Sequence, residues 1–139
     1  MDRKLEVLAA VPLLGRLDRK GLEAVARLCD EVDLPAGKVV VRQGTYGTEF
    51  YVVLEGALTV DRDGGHLADV GPGGFFGELA LLAKIQRTAT VTTAAPSRLL
   101  VLGAREFTTL LHDHPSIQES VLHAVAERMA RMESERHTH

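Results

Sequence analysis

Between Val32 and Leu102 the chain is cut into short valine-rich runs by Pro35-Ala36-Gly37, Gln43-Gly44-Thr45-Tyr46-Gly47, Glu55-Gly56, Asp63-Gly64-Gly65 and Gly71-Pro72-Gly73-Gly74. Punctuation at this interval breaks helices and suits strands joined by tight turns. Phe50, Val52 and Leu54 alternate with Tyr51 and Val53, and Leu58 and Val60 continue the period beyond Glu55-Gly56. That alternation predicts strands with one face in a core. Asp63-Gly64-Gly65 supplies a hairpin return. Ala89, Val91 and Thr93 then alternate with three threonines, and Leu99 to Leu102 make a further apolar strand. The expectation is a mainly β fold with flanking helices, an antiparallel β-roll or jelly-roll barrel whose closure would protect its strand edges.

The flanks have a different texture. Leu5 to Leu14 is apolar and interrupted by Pro12, and Asp18 is placed to cap a second helix carrying Leu22, Val25, Ala26 and Cys29 on one side. After the strands, Glu106 to Leu111 reads as a turn or two of helix, and Pro115 opens a helix reaching toward Met132. Leu122, Val125, Met129 and Met132 repeat by three and four along it, a stripe for the barrel mouth or for a second copy. Residues 1–139 are expected to form one domain, with helices over 1–30, the β-roll over 31–102 and helices over 103–139.

Composition excludes several function classes. A chain of 139 residues has room for one core. Trp is absent and aromatics are 4%, which disfavours base recognition by stacked rings. Sixteen basic and 19 acidic residues give a formal charge of -3, and the basic ones are scattered, so direct DNA binding is not expected. Cys29 stands alone and suits a reducing compartment. No run approaches the roughly 20 apolar residues of a membrane span, so this chain is not expected to insert into a membrane.

Chemistry concentrates near the middle. Gly73, Gly74 and Gly77 bracket Phe75-Phe76 and let the backbone turn sharply before Glu78-Leu79-Ala80-Leu81-Leu82, a short helix whose first amides would lack partners. A phosphate could take the main-chain groups of Gly77, Leu79 and Ala80. Arg87 adds a fixed charge with a planar fork. Glu78 would repel that phosphate but suits a ribose 2'-hydroxyl as acceptor. The two side chains could instead pair with each other beneath a closed turn. Thr88 can donate to phosphate or accept from the 2-amino group of guanine, and is also an ordinary strand residue. Val53, Val70 and Leu79 are apolar neighbours for a base.

Phe76-Gly77-Glu78-Leu79-Ala80-Leu81-Leu82 followed by Arg87-Thr88-Ala89-Thr90-Val91 resembles, in order and spacing, the phosphate-binding cassette of cyclic nucleotide-binding domains. With Leu8-Ala9-Ala10-Val11-Pro12-Leu13 ahead of it and the terminal helix behind, the chain is most similar to the cytoplasmic domain of bacterial cyclic nucleotide-gated potassium channels. The resemblance implies that Glu78 binds ribose, Arg87 the cyclic phosphate, and that Thr88 leaves both cAMP and cGMP open. It also implies a C-terminal lid helix, with Arg128, Arg131 or a nearby apolar residue over the base. The function implied is a non-catalytic, cytoplasmic receptor for cAMP or cGMP that regulates an attached or associated effector, such as a channel or transporter domain, with weak homodimerisation as a further expectation. The alternative is a degenerate fold of the same kind used for protein contact without ligand. An enzyme would need a catalytic cofactor, metal cluster or activated water, and none is expected: His66 is isolated, and His112-Asp113-His114 lacks an evident third ligand.

Overall fold

The computed structural model describes residues 3–137, with side chains described for residues 3–127 and for Ala130. Two helices come first, α1 (Arg3–Ala9) and α2 (Arg19–Leu28). Asp18 caps α2 as its side chain predicts, accepting from the Gly21 amide at 2.8 Å. Asp18→Ala is therefore expected to lower stability by about 1 kcal/mol, read as a shift in the urea midpoint.

Ten strands follow: β1 (Asp30–Leu34), β2 (Val39–Val41), β3 (Tyr46–Gly47), β4 (Glu49–Glu55), β5 (Leu58–Arg62), β6 (Gly65–Val70), β7 (Phe75–Phe76), β8 (Ile85–Gln86), β9 (Thr90–Thr93) and β10 (Ser97–Gly103). A 3-10 helix, Glu78–Leu81, lies between β7 and β8. Two helices, α3 (Ala104–Asp113) and α4 (Pro115–His137), end the described chain.

The strands do not close into the expected barrel. They form three separate antiparallel sheets, ordered β1-β10-β4-β7, β2-β9-β5-β6 and β3-β8. The helices hold more residues than the strands, so the fold is mixed α/β with helices at both ends rather than mainly β. Sheet edges are blunted by brevity instead of by closure: β7, β3 and β8 are two residues each, too short to template another chain. The solvent-facing edge strand β6 carries His66 and Asp69.

Strand β4 also departs from the one-faced reading. Residues Phe50 to Leu54 are all buried, and the alternation sorts them between two cores. Phe50, Val52 and Leu54 join Leu8, Val25, Leu100, Leu102 and Phe107 beneath the helices. Tyr51 and Val53 join Val41, Leu58, Val91 and Leu99 between the sheets. Helices cover one side of β4 and the second sheet the other, so neither parity faces water.

The hairpin β5–β6 turns through Asp63 and Gly64, with φ of 52° and 81°, the doubly positive pattern of a two-residue return. Gln43 clasps it, donating to Asp63 Oδ1 at 2.8 Å and accepting from the Asp63 amide at 2.9 Å.

On α4 the buried residues are Ile117, Val121 and Ala124, while Leu122 is 61% exposed and Val125 half-buried. The expected stripe beginning at Leu122 is thus displaced by one position, and its Met129 and Met132 lie outside the described side chains. Arg16 hydrogen-bonds Glu127, holding α4 to the loop after α1 and keeping the Glu127 carboxyl below its ordinary range. Among the described residues, no helix is long and apolar enough to cross a membrane.

Candidate functional site

Gly77 follows β7 with φ of 80°, a left-handed conformation that an L side chain rarely adopts, and this turn aims the 3-10 helix into the protein. Leu81, at the end of that helix, sits in the core beneath the helices. Its anchoring holds Glu78 at the other end, where the carboxylate residue is 5% exposed. The tight 3-10 geometry has a consequence for the amides: Ala80 N donates to Gly77 O at 3.1 Å, where an open amide was expected.

Arg87 is fixed by its backbone. Its amide donates to Thr45 O at 2.7 Å and its carbonyl accepts from Gly44 N at 2.8 Å, continuing the β3–β8 pairing. The side chain then crosses Gly47 so closely that a Cβ there would lie 1.9 Å from Arg87 Nε. Only glycine leaves that path open. At its end, Arg87 Nη2 donates to Glu49 O at 2.7 Å, and the guanidinium lies 6.0 Å from the Tyr51 ring centre.

Tyr51 is itself held. Its ring stacks on Phe76 at 4.9 Å, and its hydroxyl donates to Glu49 Oε2 at 3.0 Å. Burial, then the Glu49 carboxylate, push the phenol up to about 12, so it remains a neutral donor at physiological pH.

These elements enclose a cavity of about 320 Å³, in the range of small-ligand sites. Gly77, Glu78, Leu79, Ala80, Arg87 and Thr88 all line it. Residues separated in sequence thereby meet at one surface, with a carboxylate, a guanidinium and a hydroxyl set among apolar walls. Such a surface can bind an anion and a sugar hydroxyl together. Of the apolar residues expected beside a base, Leu79 is there, but Val53 and Val70 pack in the core between the sheets. The wall is completed by Val41, Arg62 and Leu67, which the sequence reading did not single out, by Val60, read there only as a strand residue, and by Val91, read there as a strand residue at the end of the motif. Alternation marks Val60 and Arg62 as a shared strand face; nothing local marks that face as a cavity wall. Arg128 and Arg131, the expected lid residues, lie outside the described side chains.

Other clusters offer less chemistry. His112 lies 3.5 Å from Asp113 on an exposed helix end, and no group of three or more His, Cys, Asp or Glu able to hold a metal occurs among the described residues. Cys29 is half-buried, and burial pushes its thiol up to about 12, which makes it a poor nucleophile.

Residues 31–114 match the cyclic nucleotide-binding domain. A cyclic nucleotide-gated potassium channel of Rhizobium etli is 36% identical over 91% of this chain, and the matched part is 35% of the channel. The N-terminal domain of a transcriptional regulator from Streptomyces coelicolor A3(2) superposes with a TM-score of 0.86 at 32% identity, covering 94% of each chain. The regulatory domain of Toxoplasma gondii PKA, solved with cAMP, superposes with a TM-score of 0.71 at 34% identity, covering 78% of this chain and 43% of that one. The chain spans about a third of the length of the potassium-channel relatives it matches.

Proposed function

Because the chain belongs to the cyclic nucleotide-binding domain family, we propose that residues 1–139 act as one cytoplasmic receptor unit for a cyclic mononucleotide, cAMP or cGMP. The family makes it a non-catalytic regulatory module of the ligand-sensing kind. The observation that carries the finer reading is the meeting of Glu78, Arg87 and the Gly77 turn on one cavity of mononucleotide size.

The division of labour follows from charge. Arg87 takes the cyclic phosphate, together with main-chain groups of Gly77 and Leu79, and Ala80 lines the turn. Glu78 accepts from the ribose 2'-hydroxyl, a charge-assisted bond that a deoxy sugar cannot make. Thr88 stands beside Arg87 as a further phosphate or base contact.

Regulation runs through packing. Leu81 shares a core with Phe107 and Leu110 of α3 and Ile117 and Val121 of α4. Ligand that favours one position of the Gly77–Leu81 turn therefore favours one arrangement of the final helices, and the effector attached or docked there senses the difference. The channel and regulator relatives support an effector of that general type.

The test is calorimetric titration of nucleotide-stripped protein with cAMP, cGMP and their 2'-deoxy analogues. Wild type is expected to bind a ribonucleotide one to one and its deoxy analogue about tenfold more weakly. In Glu78→Gln, folding checked by circular dichroism, that ratio should fall toward unity. Saturable binding that ignores the 2'-hydroxyl sinks the role of Glu78; no binding by folded protein sinks the receptor reading and leaves a protein-contact module in its place.

A further inference from the structure

The receptor reading gives Glu78 and Arg87 their roles but none to the wall formed by the β5–β6 hairpin. Val60, Arg62 and Leu67 come from that hairpin. Val60 and Arg62 are two positions apart on β5, so their side chains leave the strand on the same face. The pairing register shifts there: Val60 faces Ala68 while Asp61 faces His66, which makes Leu67 the extra residue of a bulge. Leu67 borders the cavity with 52% of its surface exposed, and Leu79 borders it with 42% exposed. Exposed leucines on a cavity rim suit the faces of a flat ring better than they suit an anion.

Arg62 is the polar group of this wall. Its Nε donates to Thr88 O at 3.0 Å, a bond from the end of β5 to the residue after Arg87. That bond fixes the stem and leaves the two terminal amino groups of the fork as donors. Among the described residues, the ion pairs within 4.0 Å do not include Arg62.

We propose that Arg62 is a specificity-determining residue that reads the edge of the bound base and selects guanine over adenine. The proposal rests on the receptor reading above. Guanine presents N7 and O6 side by side, two acceptors matching a planar fork, whereas adenine sets its N6 amino donor beside N7 and turns it against the guanidinium. Arg87 is already committed to the phosphate turn by its backbone bonds and its path across Gly47. Arg62 arises instead among Val60 and Leu67, the chemistry of the base end.

Titration of stripped protein with both nucleotides decides this. Wild type is expected to prefer cGMP over cAMP by about tenfold or more. Arg62→Ala should weaken cGMP by about tenfold and leave cAMP within about twofold. Arg62→Lys keeps the charge without the fork and should not restore cGMP. As a second readout, 7-deaza-cGMP, which lacks N7, should bind wild type more weakly than cGMP but bind Arg62→Ala equally well. Equal weakening of both nucleotides by Arg62→Ala, with recovery in Arg62→Lys, would make this a phosphate contact and overturn the proposal. A wild type that prefers cAMP also overturns it, leaving the receptor reading intact. Folded wild type that binds neither nucleotide overturns both.

Discussion

Arg87→Ala is expected to weaken cyclic nucleotide binding by about a hundredfold, roughly 3 kcal/mol, because a charge-assisted and forked contact to phosphate is lost from a partly enclosed site. The thermal midpoint should move little by comparison. In the ligand-free protein the guanidinium contributes one hydrogen bond to Glu49 O and its position over Tyr51, and water can replace the first of these. The half-buried side chain therefore contributes little to the fold beyond these two contacts. Arg87→Lys should recover part of the affinity, since a point charge remains but the planar fork does not. Calorimetric titration beside differential scanning calorimetry reads the two effects separately. Unchanged affinity in a folded Arg87→Ala protein would remove the phosphate from this position.

Phe107→Ala is expected to have the opposite profile, a loss of about 3–5 kcal/mol of stability measured as a lowered urea midpoint at unchanged slope. Phe107 is fully buried in α3, among Phe50 and Leu102 of the first sheet and Leu81 of the turn that carries Glu78. Removing the ring leaves a cavity where helices and sheet meet, and those layers cannot collapse together because β4 is held from its other side. Against a typical total of about 5–15 kcal/mol, the loss is large enough to leave a measurable unfolded fraction. Tests of ligand affinity on this variant belong well below its midpoint.

What the sequence made legible was local. Asp18 announces a cap because a carboxylate before a helix has an unpaired amide within reach. Asp63-Gly64 announces a two-residue return because both positions need positive φ. The residues Gly77 to Ala80, Arg87 and Thr88 are recognisable as a group through the family resemblance of their motif, and they share one cavity lining. Relations between distant elements were hidden. Alternation along β4 does not say that both faces are covered, since helices over one side are a tertiary fact. The sheets' failure to close depends on where hydrogen-bond ladders stop, which glycine turns alone do not specify. On α4 two stripes with the same spacing compete, and what selects Ile117, Val121 and Ala124 over Leu122 is the shape of the surface they meet. Arg62 went unnoticed because an arginine before a hairpin turn is ordinary until the opposite strand places Thr88 beside it.

The two-sided burial of β4 gives the chain a partition. Even-numbered positions Phe50, Val52 and Leu54 answer to the helices, odd-numbered Tyr51 and Val53 to the space between the sheets where Arg87 finds its aromatic neighbour. Over generations, such parity lets the layer beneath the helices be repacked while the space between the sheets keeps its residues. The two layers can then diverge at different rates within seven consecutive residues of one strand.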